Sequence, residues 1–182
     1  MKVTNALKHG NQPLGGHECV IKSVDNIISK TGNEVVKMCF DIEEDSEFNQ
    51  YFQNLSNNIN SKKYYCDWPN EGTRYFVSDG IGGKYFNQFI TQIEKVNGVK
   101  IDIPSVGDDL DISQFINLKI GCEFGLEEYE KNGKVKTALS ILGFRTLDQL
   151  PFIRNYHVKR LDGKIVDYDL YINERESDSC EE

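Results

Sequence analysis

The 182-residue sequence contains no GxSxG elbow, no HExxH pair and no lysine-ended Walker loop, so the common hydrolase and nucleotide-hydrolysing signatures are missing. It has no CxxC pair either. Cys19, Cys39, Cys66, Cys122 and Cys180 stand far apart, as do His9, His17 and His157, and no zinc-ligand spacing results. An odd cysteine set without pairing motifs reads as reduced, mostly buried thiols of a cytoplasmic protein. No apolar run approaches a membrane span, and the opening stretch MKVTNALKHGNQPLGG lacks the apolar segment of a signal peptide. The expectation is a soluble protein with no membrane partner. Positive charge is also short: 21 Lys and Arg against 29 Asp and Glu give a net charge of −8. That balance repels phosphate backbones and anionic lipid, and it favours basic partners.

The acidity is not confined to the end of the chain. INERESDSCEE, from Ile172 to Glu182, carries five acids and one Arg and contributes −4, which leaves −4 on the body. Aromatics are abundant, with ten Phe, nine Tyr and one Trp, enough for a sizeable core. Strand signals come first. ECVIKSVDNII and EVVKMCFDIEE flank a turn at Thr31-Gly32 and read as a hairpin, and EFNQYFQNL (Glu47 to Leu55) offers a third strand. Asn54 to Gly72 is long and Asn-rich, a loop of a length that is functional or partly disordered. TRYFVS is a short strand candidate after it.

The clearest helix is GGKYFNQFITQIEKVNG, Gly82 to Gly98. Tyr85, Phe86, Phe89, Ile90, Ile93 and Val96 recur at helical spacing, Lys84, Gln88, Gln92 and Lys95 fall on another face, and Asn97-Gly98 supplies a stop. Strands resume with NLKIGCEFGLEEYE and KVKTALSILGFRT around Asn132-Gly133, a pair suited to the two positive φ angles of a type I′ turn. YHVKRL and KIVDYDLYI around Asp162-Gly163 predict a final hairpin. The order of three strands, a helix and two strands predicts an α+β, mainly β fold. This is an OB-fold-like antiparallel barrel or sheet, with one amphipathic helix between its third and fourth strands and plugging one end, plus a C-terminal hairpin. Residues 1–17 read as an irregular arm, 18–150 as the β-rich domain, 151–172 as the hairpin appendage and 173–182 as an acidic tail.

Three features carry chemistry. DGIGGK has neither GxGxxG spacing nor a GK[ST] ending, so it reads as a turn into a helix rather than a phosphate loop. Acidic clusters at Asp41 to Asp45, at Asp108, Asp109 and Asp111, and at Glu127, Glu128 and Glu130 could in principle hold Mg²⁺ for nuclease chemistry, but solvated charge is their default. SKKYYCDWPNEGTRYF sets Lys62, Lys63 and Arg74 among Tyr64, Tyr65, Trp68, Tyr75 and Phe76. Single-strand binders use such a mixture, aromatics stacking on bases and cations following phosphates. The same residues equally suit anchoring of a long loop to the core, or a protein-interface hot spot.

PLGGHECVIKSV, VVKMCFDIEED, YFNQFITQIEKVNG and GCEFGLEEYEKNGKVKTALSILGFRTLDQL together resemble a family of small phage proteins encoded among replication and recombination genes. The match covers roughly Pro13 to Leu150, and it implies single-stranded-DNA binding. The whole chain also resembles a Clostridia-type anti-CRISPR inhibitor of type II CRISPR effector nucleases. Such effectors hold guide and target in positively charged channels, which an acidic globular protein suits. The leading expectation is therefore a non-enzymatic anti-CRISPR of phage or mobile-element origin, acting in the host cytoplasm. Its partner would be an effector nuclease with its guide RNA. Lys62, Lys63, Tyr64, Tyr65, Trp68, Arg74 and Tyr75 would make contact, and Asp108, Asp109, Asp111, Glu127 and Glu128 would steer electrostatically, with no metal or cofactor. The alternative is an accessory protein of phage replication or recombination that binds single-stranded DNA. A metal-dependent nuclease comes third.

Overall fold

Two strands, Gly15–Ile28 (β1) and Glu34–Ile42 (β2), open the fold as the expected antiparallel hairpin, with Gly32 at φ 84° in its turn. They are seen in a computed structural model that describes residues 11–58, 68–77 and 80–178. Lys22 is an extra residue between Ile21, opposite Phe40, and Ser23, opposite Cys39. The bulge changes which parity faces inward, so that Cys19 and Ile21 before it and Val24 after it are all buried.

The remaining strands are Thr73–Val77 (β3), Lys119–Lys131 (β4), Lys134–Arg145 (β5), His157–Lys159 (β6) and Ile165–Asp167 (β7). Asn132 and Gly133 have φ of 54° and 72°, as the Asn-Gly pair predicts for the tight β4–β5 turn. Among the described residues three α-helices accompany them: Tyr51–Asn57 (α1), Gly80–Asn97 (α2) and Tyr168–Asp178 (α3). On α2 the residues Phe86, Phe89, Ile90 and Ile93 are buried, at the spacing of one helical face. Phe89 lies 4.7 Å, centroid to centroid, from both Phe76 and Phe144, and Phe40 packs edge-on against it at 6.2 Å. Each such ring contributes about 1.5–3 kcal/mol of burial.

The barrel expectation is corrected by the strand pairing. The sheet has seven strands in the order β3-β2-β1-β4-β6-β7, with β5 attached to β4 alone, and it does not close. β3 is only five residues long. Side chains, not a hydrogen-bond ladder, cross from β3 and α2 to β5: Arg74 donates to the Ile141 carbonyl at 3.2 Å and Gln92 to the Phe144 carbonyl at 3.1 Å. Nor is the sheet wholly antiparallel, because β6 runs parallel to β4, with Leu126 opposite Val158. The final hairpin, β6 with β7, is thereby a part of the sheet rather than an appendage. The chain turns helical at Tyr168, where a strand was expected. The segment expected as a third strand, Glu47 to Leu55, instead ends in α1. Among the described residues, no helix is long and apolar enough to cross a membrane.

Candidate functional site

The open side of the sheet forms a cleft of about 680 Å³ between β3, α2 and β5. Its floor is the aromatic cluster of Phe76, Phe89 and Phe144. Its walls mix polar side chains with the apolar Val77, Leu142 and Ile165. Along β3 the strand alternation buries Phe76 and leaves Tyr75 48% exposed. On α2, Tyr85, Gln88 and Gln92 form a second stripe beside the buried one, and Tyr85 is 63% exposed, although its spacing grouped it with the apolar residues. Arg74 reaches in from β3 and Arg145 from the end of β5.

Arg145 is held from below. Its Nη2 donates to Glu123 Oε2 at 2.8 Å and its Nη1 to the Phe144 carbonyl at 2.9 Å. Glu123 is 6% exposed, and its other oxygen lies 2.6 Å from His157 Nδ1 on β6. Small residues make room for this arrangement. A Cβ on Gly143 would come within 2.9 Å of Arg145 Nη1, one on Gly121 within 2.7 Å of the Arg145 carbonyl oxygen, and one on Gly125 within 2.4 Å of the His157 carbonyl oxygen. Glu123 therefore stands on β4 between two positions that close neighbours keep free of side chains.

The residues expected as a contact surface divide. Arg74 and Tyr75 meet at the cleft. Trp68 is half-buried and packs on the main core, which suits the anchoring reading. Lys62, Lys63, Tyr64 and Tyr65 lie outside the described residues. Arg145, Tyr85, Gln88 and Gln92 were not anticipated as site residues: Arg145 stood only in a strand ending in Phe-Arg, Tyr85 in the apolar stripe of the helix, and Gln88 and Gln92 on its other face.

The acidic residues lie apart and are engaged locally. Asp108 and Asp109 are exposed beside a groove of about 270 Å³ near the β1–β2 turn. Asp111 accepts from the Ser113 hydroxyl at 2.6 Å and from its N–H at 3.0 Å, bonds that hold its carboxyl below the usual range. Glu127 accepts from Ser140 and pairs with Lys159 at 3.4 Å. Glu128 accepts from the Leu161 N–H and the Tyr171 hydroxyl, and burial followed by that bond pushes the Tyr171 phenol up to about 12. In the first cluster, Asp41 is 1% exposed and caps α1, accepting from the N–H groups of Phe52 at 2.9 Å and Gln53 at 3.3 Å. Glu44 lies 2.6 Å from His17 Nδ1. Among the described residues, no three His, Cys, Asp or Glu side chains converge as metal ligands.

No protein-family model matches the chain, and no curated protein matches it.

Proposed function

We propose that the protein binds single-stranded nucleic acid in the cleft between β3, α2 and β5. One observation carries the proposal. In a chain with 29 acidic and 21 basic residues, the described lining of this cleft holds two arginines and two exposed tyrosines, and none of it is Asp or Glu. Tyr75 and Tyr85 offer faces for unpaired bases, Arg74 and Arg145 meet phosphates, and Gln88 presents an amide to a base edge. A volume of about 680 Å³ suits a short stretch of single strand, and a duplex would keep its bases from the tyrosines.

Titration of a labelled oligothymidylate by fluorescence anisotropy tests the proposal. Two phosphate contacts on a single strand give a log–log salt slope of about −1.4. Tyr85→Ala removes one stacking platform, worth about 1–3 kcal/mol, or roughly 5- to 150-fold in Kd, and leaves the buried face of α2 intact. Absence of saturable binding, or binding that Tyr85→Ala leaves unchanged, refutes it.

A second reading is inhibition of a type II CRISPR effector nuclease. It is favoured by a groove of about 430 Å³ lined by Glu71, Glu127 and Glu128, whose net negative sign, even with Glu127 paired to Lys159, suits a basic channel. Equimolar inhibition of an effector–guide complex that persists in the Tyr85→Ala variant would favour this reading over the first.

A further inference from the structure

We infer that Glu123 is a positioning residue that, clamped by His157, holds the Arg145 guanidinium at the cleft ready for phosphate; the inference rests on the nucleic-acid reading above. The strand register shows how. Glu123 lies opposite Gly143 on β5, and Arg145 lies two residues further along, opposite Gly121. With no side chain on Gly143, the guanidinium folds over that position and reaches the carboxylate diagonally. On the other edge of β4, His157 from β6 takes the second carboxylate oxygen. Glu123 is thus gripped from both sides, and it cannot turn towards one neighbour without leaving the other.

A plain structural ion pair is the competing account, and the exposure of the two partners separates the two. The Glu123 side chain is 8% exposed, whereas that of Arg145 is 40% exposed. The Glu123 carboxylate and the Phe144 carbonyl engage two N–H groups of Arg145. A guanidinium carries about five such donors in a rigid fork, so donors remain on the exposed side for a ligand. A free arginine loses rotamer freedom when it binds; one already held loses less.

The sign of one substitution decides between them. Glu123→Gln keeps the volume and a hydrogen-bonding end but removes a negative charge beside the cleft. Electrostatics alone then strengthens oligonucleotide binding and steepens its salt slope. Loss of positioning weakens binding by roughly 2- to 10-fold, the ordering loss of one long side chain. The experiment measures oligothymidylate affinity and salt slope for the wild type, Glu123→Gln, Arg145→Lys and the double variant. We expect each single variant to bind more weakly and the double variant to lose little more than either, because both break the same device. Should the Glu123→Gln chain not fold, His157→Gln leaves both charges in place, and weaker binding is again expected. Binding by Glu123→Gln, or by His157→Gln in its stead, as tight as the wild type or tighter overturns the inference, as do strictly additive losses. If the wild type binds and Tyr85→Ala weakens it while these variants do not, the inference alone falls. If the wild type does not bind, the reading beneath it falls and takes the inference with it.

Discussion

Replacing Asp41 tests how the fold uses its first acidic cluster. Asp41 sits at the end of β2, yet it caps α1, eleven residues downstream. Gln50, at the cap position itself, has φ of 57° and provides no side-chain cap. The Asp41 carboxylate accepts from the N–H groups of Phe52 at 2.9 Å, Ile42 at 3.0 Å and Gln53 at 3.3 Å, and both Asp41 and Phe52 are almost wholly buried. Asp41→Ala removes a cap worth about 1 kcal/mol and strands buried donors at about 1–3 kcal/mol. The expected loss is about 2–4 kcal/mol in urea unfolding, or roughly 4–16 °C in Tm for a chain of this length. A loss below about 0.5 kcal/mol, the scale of an ordinary surface substitution, would refute the capping role.

The pH dependence of Asp41→Asn carries a sign as well. Burial pushes the Asp41 carboxyl above its usual 3.8, against the pull of the three N–H groups. A raised folded value means that the native state holds the proton more tightly. The group's stabilising contribution is then complete below pH 3.8 and is lost as pH rises through the folded value. The Asn penalty should therefore be largest near pH 3.5 and shrink towards neutrality. Glu44 has the opposite sign. Burial works against its ionisation, but the bonds from His17, the Glu18 N–H and the Ser46 hydroxyl prevail and hold it below 4.5, so its contribution is lost as pH falls. The wild-type slope mixes the two groups, and the difference between wild type and Asp41→Asn isolates one of them. An Asn penalty that grows as pH rises would show the N–H bonds outweighing desolvation and would refute this assignment.

Gly125→Ala should destabilise the fold by about 1–3 kcal/mol, because a Cβ there meets the His157 carbonyl oxygen at 2.4 Å as well as the movable Leu142 side chain. Hydrogen exchange should quicken at Val158, where β6 pairs with β4; an unchanged rate would place the strain elsewhere. Burial raises Tyr51, Tyr168 and Tyr171, and ultraviolet titration should show Tyr171 ionising near 12, a contribution that Tyr171→Phe should remove from the late part of the curve. The contribution of Tyr171 is complete below pH 10 and is lost as pH rises towards 12, so the wild type should exceed the Phe variant in stability by less at about pH 11.5 than at about pH 9.

Local chemistry was legible in the sequence and long-range pairing was not. Asn132-Gly133 has one economical backbone conformation, and the Phe86, Phe89, Ile90 and Ile93 stripe fits one helix face, so both could be read from neighbours alone. The reading of Glu47 to Leu55 as a strand overlooked spacing that was present: Phe48, Tyr51, Phe52 and Leu55 recur at helical intervals and all pack on the core. Tyr168, Tyr171 and Ile172 do the same on α3, although Tyr and Ile favour strands. Closure of the sheet depended on what β3 would meet. That was settled by Arg74 and Gln92, whose side chains reach the carbonyls of β5, and no periodicity encodes such a contact.

The site was half legible for a related reason. Arg74 and Tyr75 belong to a segment whose composition stands out, whereas Arg145 is one cation in an ordinary strand, and its placement depends on Glu123, Gly143 and His157, which are scattered along the chain. On the reading proposed above, net charge is a weak guide, since −8 argues against a nucleic-acid ligand only where unpaired acids lie near it, and Glu123, the acid beside the cleft, is paired with Arg145. Asp41 and Glu44 are turned to capping and pairing, Asp111 to a turn, and Glu127 and Glu128 to β6 and α3. At physiological ionic strength a charge beyond about 8 Å is largely screened, while direct arginine contacts are not. A cleft without carboxylates in its described lining can thus attract a phosphate chain that the molecule as a whole repels. The overall negative charge then acts mainly at long range, where it slows encounter rather than loosening the bound state.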